Sequence, residues 1–369
     1  MNAAGFHVQV FEKVHNFARL GDSLGLGENA LRLLKRWGLY EQLIAIGNKS
    51  EMMQIRRWDD GKILAQQPLM DMAGYIGHRG DYHEEFLKRV REVGVEVRMG
   101  CNVVAYDEEG PSVRLGNGEV HEADLIVAAD GIKSLAREVV LGFEDKPKSS
   151  GYACYRAFFK GAYLKDLPLC RGFIEQECVN IWIGNDIHLV QNTLRDGDEV
   201  NWIITHKDTE DIKESWFLPG DMEAVRKLVL DCDPRIKAVV DATKNAQGAS
   251  QAIESAAVLA MCLKLAGKER IPLALCTEIF KTRTYEKLRF ERVRLSQLNG
   301  EELRDRWHSV LKDLDRNVEI DPEDVKIRNR WLYPFDAEED TIQRWPEVSA
   351  MAEKELSEGK IRPLFMKTE

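Results

Sequence analysis

The stretch Asp124-Leu-Ile-Val-Ala-Ala-Asp130-Gly-Ile-Lys-Ser134-Leu-Ala-Arg137 constrains the fold most. An apolar run of this length with polar ends suits a β-strand covered on both faces, as in parallel sheets. Asp130-Gly131 then breaks the run. Gly131 can take backbone angles denied to other residues, and Ser134 to Leu141 has helical spacing. Asp130 is thereby predicted at the C-terminal end of a strand beside a helix N-terminus, which is where open α/β sheets hold their ligands. An ordinary strand-turn-helix with Asp130 as a cap accounts for the segment equally well.

Composition narrows the classes. A chain of 369 residues that is 44% apolar can bury a sizeable core and hold two or three structural units. No run approaches the roughly 18 apolar residues needed to cross a bilayer. The start, MNAAGFHVQVFEK, lacks a charged-then-apolar export signal, so a cytoplasmic protein without a membrane span is predicted. Seven cysteines without a CxxC pair fit reduced, buried thiols better than a disulfide framework or a zinc site, and no metal site is predicted. The net charge of -10 disfavours nucleic acid as a partner. Basic residues cluster between Arg283 and Arg294, but Glu286 and Glu291 interleave at helical spacing, which predicts a solvated helix face.

Taken in order, Val8 to Glu12 alternates apolar and polar residues and ends in an acid, as a strand does when its last carboxylate faces a nucleotide ribose. Only seven residues precede Val8, so the strand and Gly-rich turn of a dinucleotide site are absent ahead of it. Gly25-Leu-Gly27-Glu-Asn-Ala30 matches G-x-G-x-x-A, yet Arg19-Leu-Gly-Asp-Ser before it is loop-like, and the match is rejected as a phosphate loop. Asp81-Tyr-His-Glu84 reads as a capping box opening a helix with Phe86, Val90 and Val93 on one stripe, ending at Gly94. Val95 to Met99 follows as a strand. Just ahead, His78-Arg79 offers a cation suited to a phosphate or a flavin edge, or to a surface salt bridge. Asn117-Gly118 between alternating runs signals a hairpin.

From Gly151 the texture changes. Tyr152 to Phe159, Val179 to Ile183, His188 to Leu194 and Trp202 to His206 read as an inserted antiparallel sheet. Helical patterns return from Met222, with Ser250 to Leu265, Thr277 to Gln297 and Gly300 to Leu314 as separate helices.

The ordered set of Glu12, Gly21-Asp-Ser-Leu with Asn29 to Gly38, His78-Arg79, Asp130-Gly131 with Ser134 and Arg137, Gly151-Tyr-Ala-Cys-Tyr-Arg156-Ala and Gln247-Gly-Ala-Ser-Gln-Ala-Ile-Glu254 resembles the FAD-dependent aromatic-ring monooxygenases of the salicylate hydroxylase type, particularly the fungal branch. The likeness runs from Val8 to about Arg294, and Trp331 to Asp336 is still suggestive of it. The resemblance implies an α/β fold: an incomplete Rossmann-like FAD-binding domain with an inserted antiparallel β-sheet substrate domain and a helical C-terminal region. The expected boundaries are 1–146 and 222–300 for the two parts of the FAD-binding domain, 147–221 for the insertion and 301–369 for the extension. It implies FAD as cofactor, NAD(P)H as co-substrate and a small aromatic or polyketide-like substrate, with the flavin carrying the chemistry. Glu12 would hold the ribose, Arg79 the pyrophosphate region, and Asp130 would lie near both cofactors. Gly248 and Ala249 would begin a helix under the flavin ring, where free N–H groups favour negative charge. Arg156 would orient the substrate or its phenolate.

Three departures from that family pattern stand out. The first strand and its glycine turn are absent. The Gly-Asp turn and Pro-containing loop that relatives carry before Gln-Gly-Ala are absent too, with Asp241 a poor substitute for the Asp that contacts the flavin's ribityl chain. Asn192 stands where relatives often carry a Tyr. Either Asp124 to Ala129 pairs directly with Val8 to Phe11, or the sequence is a shortened version of a longer one. A catalytically impaired remnant that binds a ligand or partner is therefore the alternative expectation.

Overall fold

A computed structural model describes residues 5–17, 19, 23–69, 74–107, 110–144, 149–176, 178–208, 221–243, 253–266, 284–312, 318–328 and 330–359, the side chains of residue 132 and residues 253–257 excepted. Strand β1 (Gln9–Glu12) pairs in parallel with β6 (Glu96–Met99), Gln9 opposite Glu96 and Glu12 opposite Met99. The antiparallel pair β2 (Ser23–Leu26) and β5 (Tyr75–His78) leads into helix α1 (Glu28–Arg36) on one side and α3 (Arg79–Glu92) on the other. Between them α2 (Tyr40–Ile46) buries Leu43 beside Leu26, Leu34 and Tyr82. Helix α3 ends where Gly94, at φ +78°, takes the left-handed turn anticipated for it. Strands β7 (Val103–Asp107), β8 (Ser112–Leu115) and β9 (Val120–Glu122) form a meander turned by Asn117-Gly118, with Gly118 at φ +91°.

The largest sheet has six strands in the order β10-β13-β12-β11-β3-β4. Strands β10 (Tyr152–Lys160), β11 (Cys178–Gly184), β12 (Ile187–Leu194) and β13 (Glu199–Lys207) lie where the alternating runs were read. Two earlier strands, β3 (Met52–Arg57) and β4 (Ile63–Pro68), complete the sheet, β3 running parallel to β11. The alternation sets two faces. On the outer face Trp182, Leu189, Val200, Trp202 and Ile204 pack on α5 (Arg171–Glu175), α6 (Met222–Leu228) and α7 (Pro234–Asp241). Each buried indole also satisfies its N–H: Trp182 donates to Asp233 Oδ2 and Trp202 to Thr243 Oγ1, both at 2.8 Å. On the inner face Met53, Ile55, Val179 and Ile181 pack with Ile76 of β5 and with Trp307.

The helices α4 (Ala136–Leu141), α8 (Ile253–Ala266), the long helix Thr284–Ser309 and the C-terminal helix Ala337–Ser357 complete the ordered elements used below. Leu33 of α1 is wholly buried against Val258 and Cys262 of α8 and Val348 of the C-terminal helix.

Four expectations are corrected. Asp124 to Ala129 is not a buried strand: the segment pairs with no strand among the described residues, and Val127 is 43% exposed. Among the described residues β1 pairs with β6 alone, so the direct pairing of Asp124 to Ala129 with Val8 to Phe11 does not form. The capping box assigned to Asp81 is absent, because α3 is capped three residues earlier, by His78. Gly300 does not divide the late helices: Thr284–Ser309 is continuous through it, since one glycine costs a helix only about 1 kcal/mol. The basic run is not simply solvated, for Arg289 is buried and the Arg292 guanidinium lies 3.7 Å from the centroid of the Phe335 ring.

Candidate functional site

Three elements converge at the start of α3. His78 caps the helix, its Nδ1 accepting the Gly80 N–H at 3.0 Å, and its buried ring meets Phe158 of β10 edge-on at 4.5 Å. The six-stranded sheet therefore touches the first unit at the residue preceding Arg79. Arg79 opens the helix, and His83, one turn on, shares its face. Across from them, Glu12 closes β1 and its Oε1 accepts the Val14 N–H at 3.0 Å. Burial holds the His83 imidazole below the usual histidine range; Glu12 pulls it up and Arg79 pushes it down. Glu12 and Arg79 thus act on one imidazole, whose other neighbour is the Phe17 ring at 4.1 Å.

The carboxylate freed from capping has another use. Asp81 accepts two bonds from Arg19, at 2.5 and 2.9 Å, and one from Arg195 at 2.7 Å, while Arg19 also reaches Glu199 at 3.0 Å. Burial works against ionised Asp81, but the two arginines win and hold its carboxyl below the usual range. This network ties β13 and its turn to α3.

The remaining predicted residues divide. Asp130 stands at the head of a short 3-10 turn, Gly131–Lys133, with Gly131 at φ +81° as its position requires. Its carboxylate is exposed and accepts a hydrogen bond from the Tyr106 hydroxyl at 3.4 Å. Burial first, and then the charge of Asp130, pushes the Tyr106 hydroxyl up to about 12. Arg156 lies on the inner face of β10, two residues from Phe158, and donates to Cys154 Sγ at 3.4 Å. Asp241 lies on α7 and pairs with Arg226 at 3.2 Å. Gly248 and Ala249 fall outside the described residues. His83 and Asn201 were not singled out from the sequence. Asn201 opposes Asn192 on the inner face, both are buried, and Asn192 Oδ1 accepts from Asn201 Nδ2 at 3.1 Å and Ser23 Oγ at 3.0 Å. Two asparagines inside otherwise apolar alternation were the available signal.

The glycine pattern at Gly25 needs a changed reason. It does follow a strand, but Gly25 lies inside β2 opposite Ile76 of an antiparallel partner. Gly27 caps α1 at φ -73°, and Glu28 puts a carboxylate in the first turn. That charge disfavours a bound phosphate.

A family model described as "FAD binding domain" matches residues 1–184. The chain is 28% identical to an asperlicin C monooxygenase from Petromyces alliaceus, over 90% of this chain and 82% of that protein. It is also 28% identical to a 6-hydroxynicotinate 3-monooxygenase from Pseudomonas fluorescens, over 73% of this chain and 80% of the relative. Among solved structures, CtdE in complex with FAD and a substrate superposes with a TM-score of 0.82 at 22% identity, covering 95% of both chains. A salicylate hydroxylase substrate complex gives 0.72 at 16% identity, covering 90% of this chain and 96% of that one. These superpositions establish the α/β fold with its sheets and helical C-terminal region.

For FAD, the described residues fit one end only. Glu12 and Arg79 both act electrostatically on the His83 imidazole. No strand among the described residues lies on the open edge of β1 to carry a diphosphate-binding turn.

Proposed function

This chain belongs to the family of FAD-dependent monooxygenases, and from that premise we propose that it hydroxylates a small aromatic or polyketide-like compound, with NAD(P)H and dioxygen as co-substrates, in secondary metabolism. The reading is supported by the start of α3, where Arg79 follows the His78–Phe158 contact that joins the six-stranded sheet to the first unit and where the charges of Glu12 and Arg79 both act on the His83 imidazole. Glu12 has a carboxylate oriented by the Val14 N–H, suited to a ribose diol. Arg79 has a fixed charge at a helix N-terminus, suited to a phosphate. Arg156, on the same sheet face as Phe158, would orient an anionic oxygen of the substrate.

A second reading is favoured by the Asp124–Ala129 segment, which pairs with no strand among the described residues: a protein of the same ancestry that binds its ligand without turnover. One experiment separates the two. The purified chain, reconstituted with FAD and desalted, is assayed for flavin absorbance and for NADPH oxidation stimulated by a panel of phenols and hydroxylated N-heteroaromatics. Retained flavin with stimulated oxidation supports the monooxygenase. Loss of both, with aromatic binding preserved by calorimetry, supports the second reading and ends the first.

A further inference from the structure

The back of the six-stranded sheet holds two arginines that the flavin reading leaves without a role. Arg56 of β3 stands opposite Trp182 of β11 in parallel register, so both project on the outer face, away from Arg156 on the inner one. The Arg56 guanidinium is half-buried and has three partners. Its Nε donates to Asn180 Oδ1 at 3.0 Å, its Nη1 to the Gly61 carbonyl at 3.1 Å and its Nη2 to Gln54 Oε1. All three acceptors are uncharged. The first is fixed from behind, since Asn180 Nδ2 donates to Gln191 Oε1 at 3.0 Å and both amides are buried. A second guanidinium meets the first at the same carbonyl, where Arg235 Nη2 donates to the Gly61 oxygen at 3.0 Å. Both cations also stand by the Trp182 ring, 5.8 and 6.0 Å from its centroid. Gly61, at φ +68°, permits this approach, because a β-carbon there would lie 1.9 Å from Arg235 Nη2.

The carboxylate beside them, Asp233, is already bound by the Arg235 side chain, the Arg235 N–H and the Trp182 indole. Two like charges sharing one carboxylate leave an excess positive charge in a half-buried place, where salt screens it less than at the surface. Burial first, and then the charge of Arg235, lowers the Arg56 guanidinium below the usual arginine range. A bound anion relieves both effects. We infer that Arg56 and Arg235 form a site for one small oxyanion, a phosphate or carboxylate group, on the outer face of the sheet. The donors are at hand: a guanidinium carries five N–H groups, Arg56 commits three of them, and Arg235 Nη1 makes none of the bonds above.

The test titrates the full chain with inorganic phosphate by calorimetry, sodium chloride holding the ionic strength constant. Saturable binding is expected, weakened at least about ten-fold in Arg56→Gln and unchanged in Arg226→Gln, which alters an exposed arginine of α6 paired with Asp241. A readout in the unaltered chain does not depend on the folding of any variant. Phosphate should slow the modification of Arg56 and Arg235 by phenylglyoxal several-fold, mapped by peptide mass spectrometry, and leave Arg226 unprotected. Acetate in place of phosphate separates the two oxyanion classes, the tighter binder being the one the site takes. No saturable binding of either anion, binding that Arg56→Gln leaves intact, or equal protection of all three arginines would each overturn the site. Arg79→Gln tells this site from the flavin reading: it should weaken flavin retention and leave the phosphate isotherm as it was. Loss of the isotherm in that variant would place the phosphate at α3 and overturn the outer-face site, whereas an intact isotherm in a chain that never retains flavin upholds the site and counts against the flavin reading alone.

Discussion

His188 Nδ1 lies 2.7 Å from His308 Nε2, a hydrogen bond that joins β12 to the far end of the long helix Thr284–Ser309. Burial, then the positive potential of His308 and Arg304, lowers the His188 imidazole to about 3, and burial lowers His308 as well. Both rings are therefore neutral at physiological pH, one donating and the other accepting. In the unfolded chain each titrates near 6.5. Below that value the unfolded state binds protons that the folded state refuses, so stability is complete above about 6.5 and declines as the pH falls towards 3. Each such histidine steepens the decline by at most about 1.4 kcal/mol per pH unit. Urea midpoints at pH 7.5, 6.0 and 5.0 should fall in that order. In His188→Gln the fall should be shallower, and an unaltered slope would show that this pair does not govern it.

Asp233 is the buried hub of the outer face. It caps α7 through the Arg235 N–H at 3.0 Å, accepts the Trp182 indole N–H at 2.8 Å and binds the Arg235 side chain at 2.6 Å. Burial opposes its charge, but those donors hold its carboxyl below the usual range. Removing it strands an indole N–H and a guanidinium and deletes the cap. Asp233→Ala should cost about 3–5 kcal/mol in denaturant unfolding, the range for breaking one partner of a buried charge pair. Asp233→Asn, which can still accept from the indole, should recover part of that. Equal losses would mean that packing alone is at stake.

The four-charge network gives a smaller and salt-dependent effect. Asp81 is largely covered, but Arg19 and Arg195 are 40% and 51% exposed, so the fully buried range is discounted. Asp81→Asn should cost about 1–3 kcal/mol at pH 7 and low salt. Because the Asp81 carboxyl is held below its ordinary range, its contribution is present above about pH 3.8 and is lost as the pH falls below that. The parent and variant should converge as sodium chloride rises towards 1 M. A gap independent of salt would place the cost in packing instead of charge.

What the sequence revealed follows from the range of the forces involved. Strands β10 to β13 could be read because alternation is local: Leu189, Trp202 and Ile204 face one core, and their neighbours face the other. The Asn117-Gly118 turn was legible for the same reason. Asp124 to Ala129 was misread because a strand's existence depends on an edge partner, which no property of the segment itself records. The parallel pairing of β3 with β11 was invisible, since it joins residues more than a hundred positions apart. Asp81 was taken for a cap because its neighbours are helical, whereas its carboxylate is claimed by Arg19 and Arg195 across 62 and 114 positions. At the candidate site Glu12 and Arg79 were legible as residue types at element ends, but His83, on which both charges act, became informative only once β1 and α3 were placed together.

Tyr82 and Gly77 are fitted to one another beneath the β2–β5 pair. A β-carbon at Gly77 would lie 2.4 Å from Tyr82 Cζ, and one at Gly47 would lie 2.5 Å from its hydroxyl, so both glycines are vacated for this ring. The hydroxyl itself is buried without a hydrogen-bond partner, and burial raises it well above the usual tyrosine range. An unsatisfied buried hydroxyl costs about 1–3 kcal/mol, so Tyr82→Phe should be neutral to stabilising by about 1 kcal/mol. Gly77→Ala should destabilise by about 1–3 kcal/mol through overpacking. Tyr82→Phe cannot relieve it, since the clashing ring carbon remains. Adding Tyr82→Ala should make Gly77→Ala nearly free, against a background already lowered by the lost ring. A double-mutant cycle in urea measures this coupling, and strict additivity of Gly77→Ala and Tyr82→Ala would show that the ring and the glycine are not in contact.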